Sequence, residues 1–485
     1  MIFNSVVFLF FFPAVFLLYW FCFNKSNKSQ NSFLLVVSYI FYGWWDYRFL
    51  FLLMFSTGLD FFSGNKIFNS TSKSERKMWL IICVFINLGL LVFFKYYNFF
   101  ADSLVDLFAK LGYHQDLWTL QIILPVGISF YTFHGLSYIF DIYNNKIKPS
   151  KSIVDYSVFV SFFPLLVAGP IERATHLLPE FYIKKKFDYR LSIIGLRQIL
   201  WGLFKKVVIA DNCGIEVDRI FQDHHNMPGT MLILGAVYFS IQIYADFSGY
   251  SDIAIGLSRM MGFEIINNFN FPYFARNIAE FWKKWHISLT SWFRDYLYIP
   301  LGGSKVSLLK QIRNTLIVFL ISGFWHGANW TFIFWGAFHA FLFIPLLISG
   351  DNKRYASKGL AMKSVAKFSE IHKIIFTNIL VITGWVFFRS VSLSDAFHYL
   401  GNIIFRIGVN PGQVLLFLNT PLTIGIVALF SLEWFNRKMD FGLSFLEIKN
   451  RLNTNFSRLS LYFFLCTIII LNLPNAARSF IYFQF

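Results

Sequence analysis

The sequence predicts an all-α integral membrane protein that crosses the bilayer many times. Of its 485 residues, 56% are hydrophobic and 21% aromatic, and only 14% are charged. A water-soluble protein of this length needs more charge to cover its surface. Apolar runs recur that approach the ~20 residues a helix needs to cross ~30 Å of hydrocarbon. Because the bilayer core satisfies no backbone hydrogen bonds, we expect these runs to be helices in one polytopic domain, residues 1–485.

The apolar runs predict the spans in order along the chain. The first run has no basic residue ahead of it and no small-residue cleavage site behind it, so we expect it to be retained and not removed as a secretory signal. The predicted spans lie near residues 2–23, 33–45, 49–63, 78–100, 121–143, 192–210, 230–260, 374–390, 413–434 and 459–474.

The connections between the spans alternate in charge. Residues 184–186 are all lysine, whereas residues 211–229 contain four acidic residues and one arginine. Cytoplasmic loops carry the Lys/Arg excess. This pattern predicts a protein of the cell inner membrane whose amino terminus lies outside the cytoplasm. The net charge of +17 is spread over these loops. It does not indicate a nucleic-acid-binding surface.

Two apolar segments do not fit simple crossings. Residues 153–170 have basic connections on both sides, so they either re-enter from the cytoplasm or lie buried against other helices. Residues 314–348 are somewhat short for two crossings, and their turn lies near Trp325-His326-Gly327. Irregular backbone at membrane depth is tolerated only where it is buried or lines a cavity. We therefore predict that His326 lines a cavity.

The connection before that hairpin, residues 264–313, is neither clearly soluble nor clearly spanning. Asn277 to Leu289 are predicted to form one amphipathic helix with His286 near its apolar face. Lys283 and Lys284 would then point toward water or lipid headgroups. We expect a cytoplasmic vestibule of short helices.

Two histidines carry the candidate chemistry, His286 in WKKWHISLTSWFRDYLYIPLGG and His326 in FWHGANW. Ionisable groups within a membrane span mark substrate or proton pathways more often than packing. A hydrogen-bonded core role is the alternative, and for His286 the two interpretations are nearly balanced. For His134 and His339, which lie in other apolar runs, helix-to-helix hydrogen bonding is favoured.

Together with SYIFYGWWDYRFL, GISFYTFHGLSYIFDIY and AGPIER, these stretches resemble the membrane-bound O-acyltransferase (MBOAT) family, and within it the alginate O-acetyltransferase (AlgI-like) branch, which is related to teichoic acid D-alanyl transfer proteins. The resemblance implies a ring of about 11–13 transmembrane or re-entrant helices, each long enough to span or enter the bilayer, around a central tunnel. It also implies a catalytic core over residues 264–348, with the key catalytic histidine at His326 and the second motif histidine at His286.

The implied reaction moves an acyl group from a cytoplasmic thioester to a hydroxyl acceptor on or across the membrane. A histidine base can take the proton of an alcohol while the alcohol attacks the thioester, a contribution of ~10²–10⁴ in rate. The developing oxyanion needs fixed donors, and the candidates are the Asn329 side chain, the Trp330 indole and backbone N–H groups near Gly327. His286 is interpreted as a tunnel-lining or orienting residue rather than a second base.

Several side chains are predicted to lie along the substrate tunnel, namely Trp285, Arg294, Asp295, Tyr298, Trp325, Asn329 and Trp330. Arg294 and Asp295 are expected to pair and shape the vestibule, and a contact with the phosphate of the donor is the alternative.

Asp246 and Asp252 lie in a predicted span, where they either line the tunnel or pair with Arg259. No metal is expected, because the histidines do not form a closely spaced ligand set. The four cysteines form no CxxC pattern. We expect no permanently bound cofactor, and the thioester substrate is acetyl-CoA or an acylated carrier protein.

The sequence leaves the acceptor open. Alginate-like exopolysaccharide, peptidoglycan, cellulose and teichoic acid all fit, and delivery outside the cell is expected to need an extracytoplasmic partner such as an SGNH-type acetyltransferase. D-alanyl or other acyl transfer to teichoic acid or peptidoglycan is one alternative. A transporter or flippase is another, but no inverted repeat with paired broken helices is recognisable. Membrane lipid is the only other expected partner, with no nucleic acid.

Overall fold

A computed structural model describes residues 1–112, 122–351, 367–406, 420–447, 454–473, 478, 480 and 481. All regular elements within these ranges are helical, so the predicted all-α class is confirmed. Four described helices are long and apolar enough to cross a membrane, namely Lys73–Lys110, Gly229–Met260, Trp330–Ile348 and Phe368–Arg389. Shorter apolar helices cover Val6–Cys22, Pro421–Phe435 and Asn455–Leu471.

The chain forms two compact units, one of residues 1–192 and 258–265 and the other of residues 193–257 and 266–485. The first unit contains the following helices: α1 Val6–Leu17, α2 Asn27–Gly43, α3 Arg48–Asn69, α4 Lys73–Lys110, α5 Ile128–Tyr143, α6 Ile153–Ser161, α7 Phe163–Leu166 and α8 Ala174–Leu177. The span predicted at 121–143 is shorter than expected, since α5 begins at Ile128 behind the left-handed Gly127, and residue 121 lies outside the described ranges.

The apolar segment at 153–170 is buried against other helices, which was one of its two predicted placements. Its two short helices, α6 and α7, are buried along most of their length and pack on α2 and α3. A buried carboxylate lies nearby, where Asp60 of α3 accepts hydrogen bonds from Asn87 Nδ2 at 2.7 Å and from the Tyr156 hydroxyl at 3.2 Å. A buried carboxylate is tolerated only when its oxygens are bonded in this way.

The second unit contains the helices that follow: α9 Tyr189–Leu203, α10 Asp211–Gln222, α11 Gly229–Met260, α12 Ile278–Lys284, α13 Ile287–Phe293, α14 Leu308–His326, α15 Trp330–Ile348, α16 Ile371–Arg389, α17 Leu393–Phe405, α18 Thr420–Phe435 and α19 Asn455–Leu471. A π-helical turn, Phe204–Ala210, joins α9 to α10. The acidic connection predicted at 211–229 is therefore largely helix, and the chain leaves the helix only after Gln222.

Helices α14 and α15 form the predicted hairpin, and their close approach depends on glycine. A Cβ atom on Gly323 would lie 2.3 Å from the Phe332 carbonyl oxygen, and one on Gly336 would lie 2.3 Å from the Phe319 oxygen. Helix α14 begins at Leu308, before the predicted residue 314. Each helix has 19 residues, or roughly 28 Å at 1.5 Å per residue, so the hairpin is longer than we expected.

Candidate active site

His326 is the last residue of α14, and its imidazole is enclosed by aromatic rings. Its ring centroid lies 4.9 Å from that of Trp325, 5.1 Å from that of Trp335 and 5.3 Å from that of Phe388. Helices α14, α15 and α16 each supply one of these rings, and the residue is only 4% exposed. The sequence placed His326 correctly at the hairpin turn. That it lines a tunnel stays a prediction.

The turn after His326 has room for glycine alone. A Cβ atom on Gly327 would lie 2.2 Å from the Phe332 ring. Asn329 then caps α15, because its Oδ1 accepts from the Thr331 N–H at 3.0 Å and its Nδ2 donates to the Val391 carbonyl at 3.0 Å. Both polar atoms of the Asn329 side chain thus take part in structural bonds. Since Nδ2 carries a second hydrogen, the use of Asn329 as an oxyanion donor stays a prediction.

His286 lies in the break between α12 and α13, so the single helix predicted over Asn277–Leu289 is wrong. The backbone of His286 is left-handed, with φ of 43°, a conformation that costs energy for a non-glycine residue. This conformation turns the chain so that the Ile287 N–H donates to the Asn268 carbonyl at 2.8 Å. The side chain of His286 is 1% exposed.

Asn268 holds the His286 ring, and nothing in the sequence singled it out. Its Oδ1 lies 3.3 Å from His286 Nδ1 and accepts from the Ser288 hydroxyl at 2.6 Å. Its Nδ2 donates to Ser251 Oγ at 3.1 Å. Since an amide oxygen only accepts, it favours the tautomer with hydrogen on His286 Nδ1 and the lone pair on Nε2.

The two motif histidines both contact one tryptophan. The ring of Trp325 is 6.1 Å from that of His286 and 4.9 Å from that of His326. Trp285, the residue before His286, lies 4.9 Å from Trp385, which stacks on Trp335 at 5.7 Å. The fold therefore joins the two sequence motifs into one aromatic cluster that contains the predicted Trp285 and Trp325.

His339 continues this cluster on α15, with its ring 5.0 Å from those of Trp335 and Trp282. Neither of its ring nitrogens has a hydrogen-bond partner, so the expected helix-to-helix hydrogen bond is not formed. His134 is hydrogen-bonded to a loop residue, since its Nε2 accepts from the Glu172 backbone N–H at 3.1 Å.

The other predicted tunnel residues lie in more open surroundings. Arg294 Nε and Asp295 Oδ1 are 2.8 Å apart, which confirms the predicted pair, and the Arg294 side chain is 62% exposed. Tyr298 is the last residue of the π-helical turn Arg294–Tyr298, which contains both members of this pair, and it is half-buried. Trp330 is 59% exposed, in contrast to the buried Trp325 and Trp335.

A buried polar cavity lies next to the Asn268 network. Lys205 Nζ pairs with Asp252 Oδ2 at 2.5 Å and donates to Ser248 Oγ at 2.9 Å. Glu433 lines the same cavity and accepts from the Tyr244 hydroxyl at 2.8 Å. The cavity volume of about 20 Å³ is room for one or two waters.

A second buried lysine in the π-helical turn explains the other intramembrane carboxylates. Lys206 Nζ lies 2.8 Å from both Asp211 and Asp246. Asp246 and Asp252 therefore each pair with a lysine, and Arg259 pairs with Glu264 at 3.5 Å. The sequence missed both lysines because they lie inside the apolar run 192–210.

A third ion-pair group lies on α12. Lys284 Nζ is 3.0 Å from Glu280, and Arg276 Nε is 2.9 Å from the same carboxylate. Lys284 is only 7% exposed, so it does not face water or headgroups as predicted. Glu280 needs both cations because it is itself buried.

Comparison with known proteins gives the class. Residues 146–388 match the model of the MBOAT, membrane-bound O-acyltransferase family. The chain is 39% identical over 403 residues to the Probable alginate O-acetylase AlgI of Pseudomonas aeruginosa, covering 82% of this chain and 73% of that protein. It is 35% identical over 439 residues to the Peptidoglycan O-acetyltransferase of Helicobacter pylori, covering 84% and 81%.

A more distant similarity covers about half of the chain. The Teichoic acid D-alanyltransferase of Bacillus subtilis is 31% identical over 234 residues, which is 46% of this chain and 58% of that protein. The matched family segment contains His286, His326, α14 and α15. The chain belongs to the membrane-bound O-acyltransferase family, and it is accordingly a polytopic membrane acyltransferase.

Proposed function

We propose that this protein takes an acetyl group from a cytoplasmic thioester and passes it through a membrane tunnel for the O-acetylation of an extracytoplasmic polysaccharide. The observation that carries the proposal is the contact of both His286 and His326 with the ring of Trp325, within the segment that matches the acyltransferase family. Relatives named for O-acetylation of alginate and of peptidoglycan, both similar over more than four-fifths of the chain, support the substrate class.

In the proposed mechanism, His326 acts as the general base. The imidazole takes the proton of the acceptor hydroxyl as its oxygen attacks the thioester carbonyl. The tetrahedral intermediate then expels the thiolate, the carbon–sulfur bond breaks, and the imidazolium returns the proton to sulfur. The aromatic enclosure of His326 supports this role because it excludes water, which would otherwise compete with the acceptor as nucleophile.

His286 is proposed to orient the substrate rather than to act as a second base. Its ring is held at Nδ1 by Asn268, so Nε2 would present a fixed acceptor toward the reaction centre. Fixed orientation of this kind contributes to rate by keeping the reacting atoms aligned. Trp285 and Trp325 would form the apolar wall beside it.

Acetyl transfer is favoured over D-alanyl transfer because the teichoic acid D-alanyltransferases match less than half of the chain. The proposed donor is acetyl-CoA or an acylated carrier protein, with no permanently bound cofactor. The proposed immediate acceptor is a hydroxyl of an SGNH-type partner outside the cytoplasm or of the polymer itself. The location in the inner membrane, with the amino terminus outside, is proposed from the lysine and arginine distribution.

The test is acyl transfer by the purified protein in lipid vesicles with radiolabelled acetyl-CoA. His326→Ala is expected to lower the rate by ~10²–10⁴, the usual contribution of a general base. His372→Ala is the matched control, since His372 is exposed at the start of α16. Full activity of folded His326→Ala would show that the base is assigned wrongly. The proposed function would be refuted if the wild-type protein turned over no acyl thioester, either alone or with a soluble SGNH-type acetyltransferase.

A further inference from the structure

Outside the aromatic cluster, the fold brings together three metal-ligating side chains. His224 and His225 are consecutive residues of the turn that follows α10, and Asp395 lies in the first turn of α17. One ligand atom from each residue lies within 4.8 Å of the other two. The chain separation of Asp395 from the two histidines hides this set from sequence inspection.

His224 has the geometry of a prepared metal ligand. Its Nδ1 lies 2.9 Å from the Phe221 carbonyl oxygen, which fixes the hydrogen on Nδ1 and the lone pair on Nε2. Nε2 is buried and has no hydrogen-bond partner, and the residue is 8% exposed. Metal-binding histidines commonly donate their second N–H to a backbone carbonyl in this way. A buried acceptor without a partner costs free energy unless something binds it.

The elements that carry the three ligands are held together by other contacts. Tyr399 of α17 stacks on Phe221 of α10 at 4.5 Å and donates its hydroxyl hydrogen to the Leu232 carbonyl at 2.7 Å. Asp395 accepts from the Ser392 hydroxyl at 2.8 Å through Oδ2, which fixes the rotamer of the carboxylate. The positions of His224 and Asp395 are therefore set by the fold before any ion binds.

We propose that His224, His225 and Asp395 bind one divalent transition-metal ion, with Zn²⁺ as the best match. Two imidazoles and one carboxylate suit Zn²⁺, whereas Mg²⁺ and Ca²⁺ prefer oxygen ligands alone. Zinc bonds of ~2.0–2.1 Å place tetrahedral ligand atoms roughly 3.3 Å apart, so the exposed His225 side chain must rotate inward. His398, whose ring is 6.1 Å from that of His225, is the side chain that we expect to complete the site, with water as the alternative.

Charges of both signs lie beside the site. Arg406 donates to the His225 backbone carbonyl, which places a positive charge beside the site. Asp223 precedes His224 and accepts from the Asn226 amide at 2.6 Å, which adds a negative charge. The ligands come from elements other than those that carry His286 and His326. The bound ion would tie the turn after α10 to α17, on the side that we propose faces away from the cytoplasm.

The experiment measures Zn²⁺ binding by equilibrium dialysis to the full-length, detergent-purified protein after removal of any histidine tag. One ion per chain is expected. His224→Ala and Asp395→Asn are each expected to weaken binding by roughly 10–100-fold or more, since loss of even an outer-shell partner costs that much. The control His372→Ala should bind like wild type. Co²⁺ should bind at the same site and give the visible absorption of a four-coordinate ion.

Size-exclusion profiles and thioester turnover of each variant establish that it is folded. The proposal is overturned if folded wild-type protein binds no Zn²⁺, or if His224→Ala binds with unchanged affinity. It is also overturned if Asp395→Asn leaves affinity unchanged, since the adjacent histidines alone would then account for the binding. Mg²⁺ competing as well as Co²⁺ would contradict the ligand chemistry.

Discussion

Replacing Asn268 by alanine should uncouple the His286 ring from its support. The substitution removes the acceptor of the Ser288 hydroxyl at 2.6 Å and of His286 Nδ1 at 3.3 Å, and the donor to Ser251 at 3.1 Å. Asn268 is 1% exposed, so water does not readily replace these bonds. With about 1–3 kcal/mol for each buried donor left unsatisfied, the two donors together cost about 2–6 kcal/mol of folding free energy.

The assay for this prediction separates stability from catalysis. Denaturation in detergent gives the loss of stability, and thioester turnover at a temperature where the variant is folded gives kcat and KM. We expect kcat to fall at least ~10-fold, equivalent to ~1.4 kcal/mol of transition-state stabilisation. Asn268→Asp keeps an acceptor facing His286 and should recover part of kcat.

Asn65→Ala is the matched control, because Asn65 of α3 donates only to the carbonyl of Phe61 on its own helix. It should leave kcat and KM unchanged. If Asn268→Ala is destabilised but retains the wild-type kcat, the hydrogen bonds around His286 serve packing alone, and the orienting role proposed for His286 is refuted.

Three further perturbations follow from the structure. Lys205→Met leaves Asp252 buried without its cation and should lower the free energy of unfolding by about 3–5 kcal/mol. In a denaturant titration, the double variant Lys205→Met, Asp252→Leu should recover most of this loss. An equal loss of stability in both variants would contradict the ion-pair argument. Gly336→Ala should destabilise by about 1–3 kcal/mol through overpacking, whereas Gly58→Ala, where a Cβ atom meets nothing within 4 Å, should not lower the thermal midpoint. His176 pairs at 2.8 Å with the buried carboxylate of Glu172, and this hydrogen bond raises the pKa of His176 above 6.5. The stabilisation from the pair is complete below pH 6.5 and is lost as pH rises through the raised pKa. The thermal midpoints of wild type and His176→Ala should therefore differ most in acid and converge at alkaline pH.

Much of the helix placement was predictable because apolar composition acts locally. The runs at 2–23, 33–45, 49–63 and 78–100 each overlap a described helix. The break at His286 was not predictable, since the run from Asn277 has a helical apolar period throughout. The left-handed backbone there is maintained by bonds to Asn268, a residue that precedes the predicted helix.

Charge placement was predictable only where solvent decides it. Residues Lys184 and Lys186 are exposed, as the basic-loop pattern indicates. Lys205 and Lys206 are buried within an apolar run, and their partners lie on α11, far along the chain. A hydropathy average over a run of residues hides single charged side chains. Only the packing of helices shows whether an oppositely charged side chain lies within ion-pair distance.

By itself the sequence determined the membrane class, the helical content and the two motif histidines, because each depends on residue type and short-range spacing. Tertiary structure alone decided that His286 and His326 share contact with Trp325, that Asn268 holds the His286 ring, and that Asp395 joins His224 and His225. These are contacts between distant parts of the chain. They arise from how helices close on one another, which the local apolar pattern does not encode.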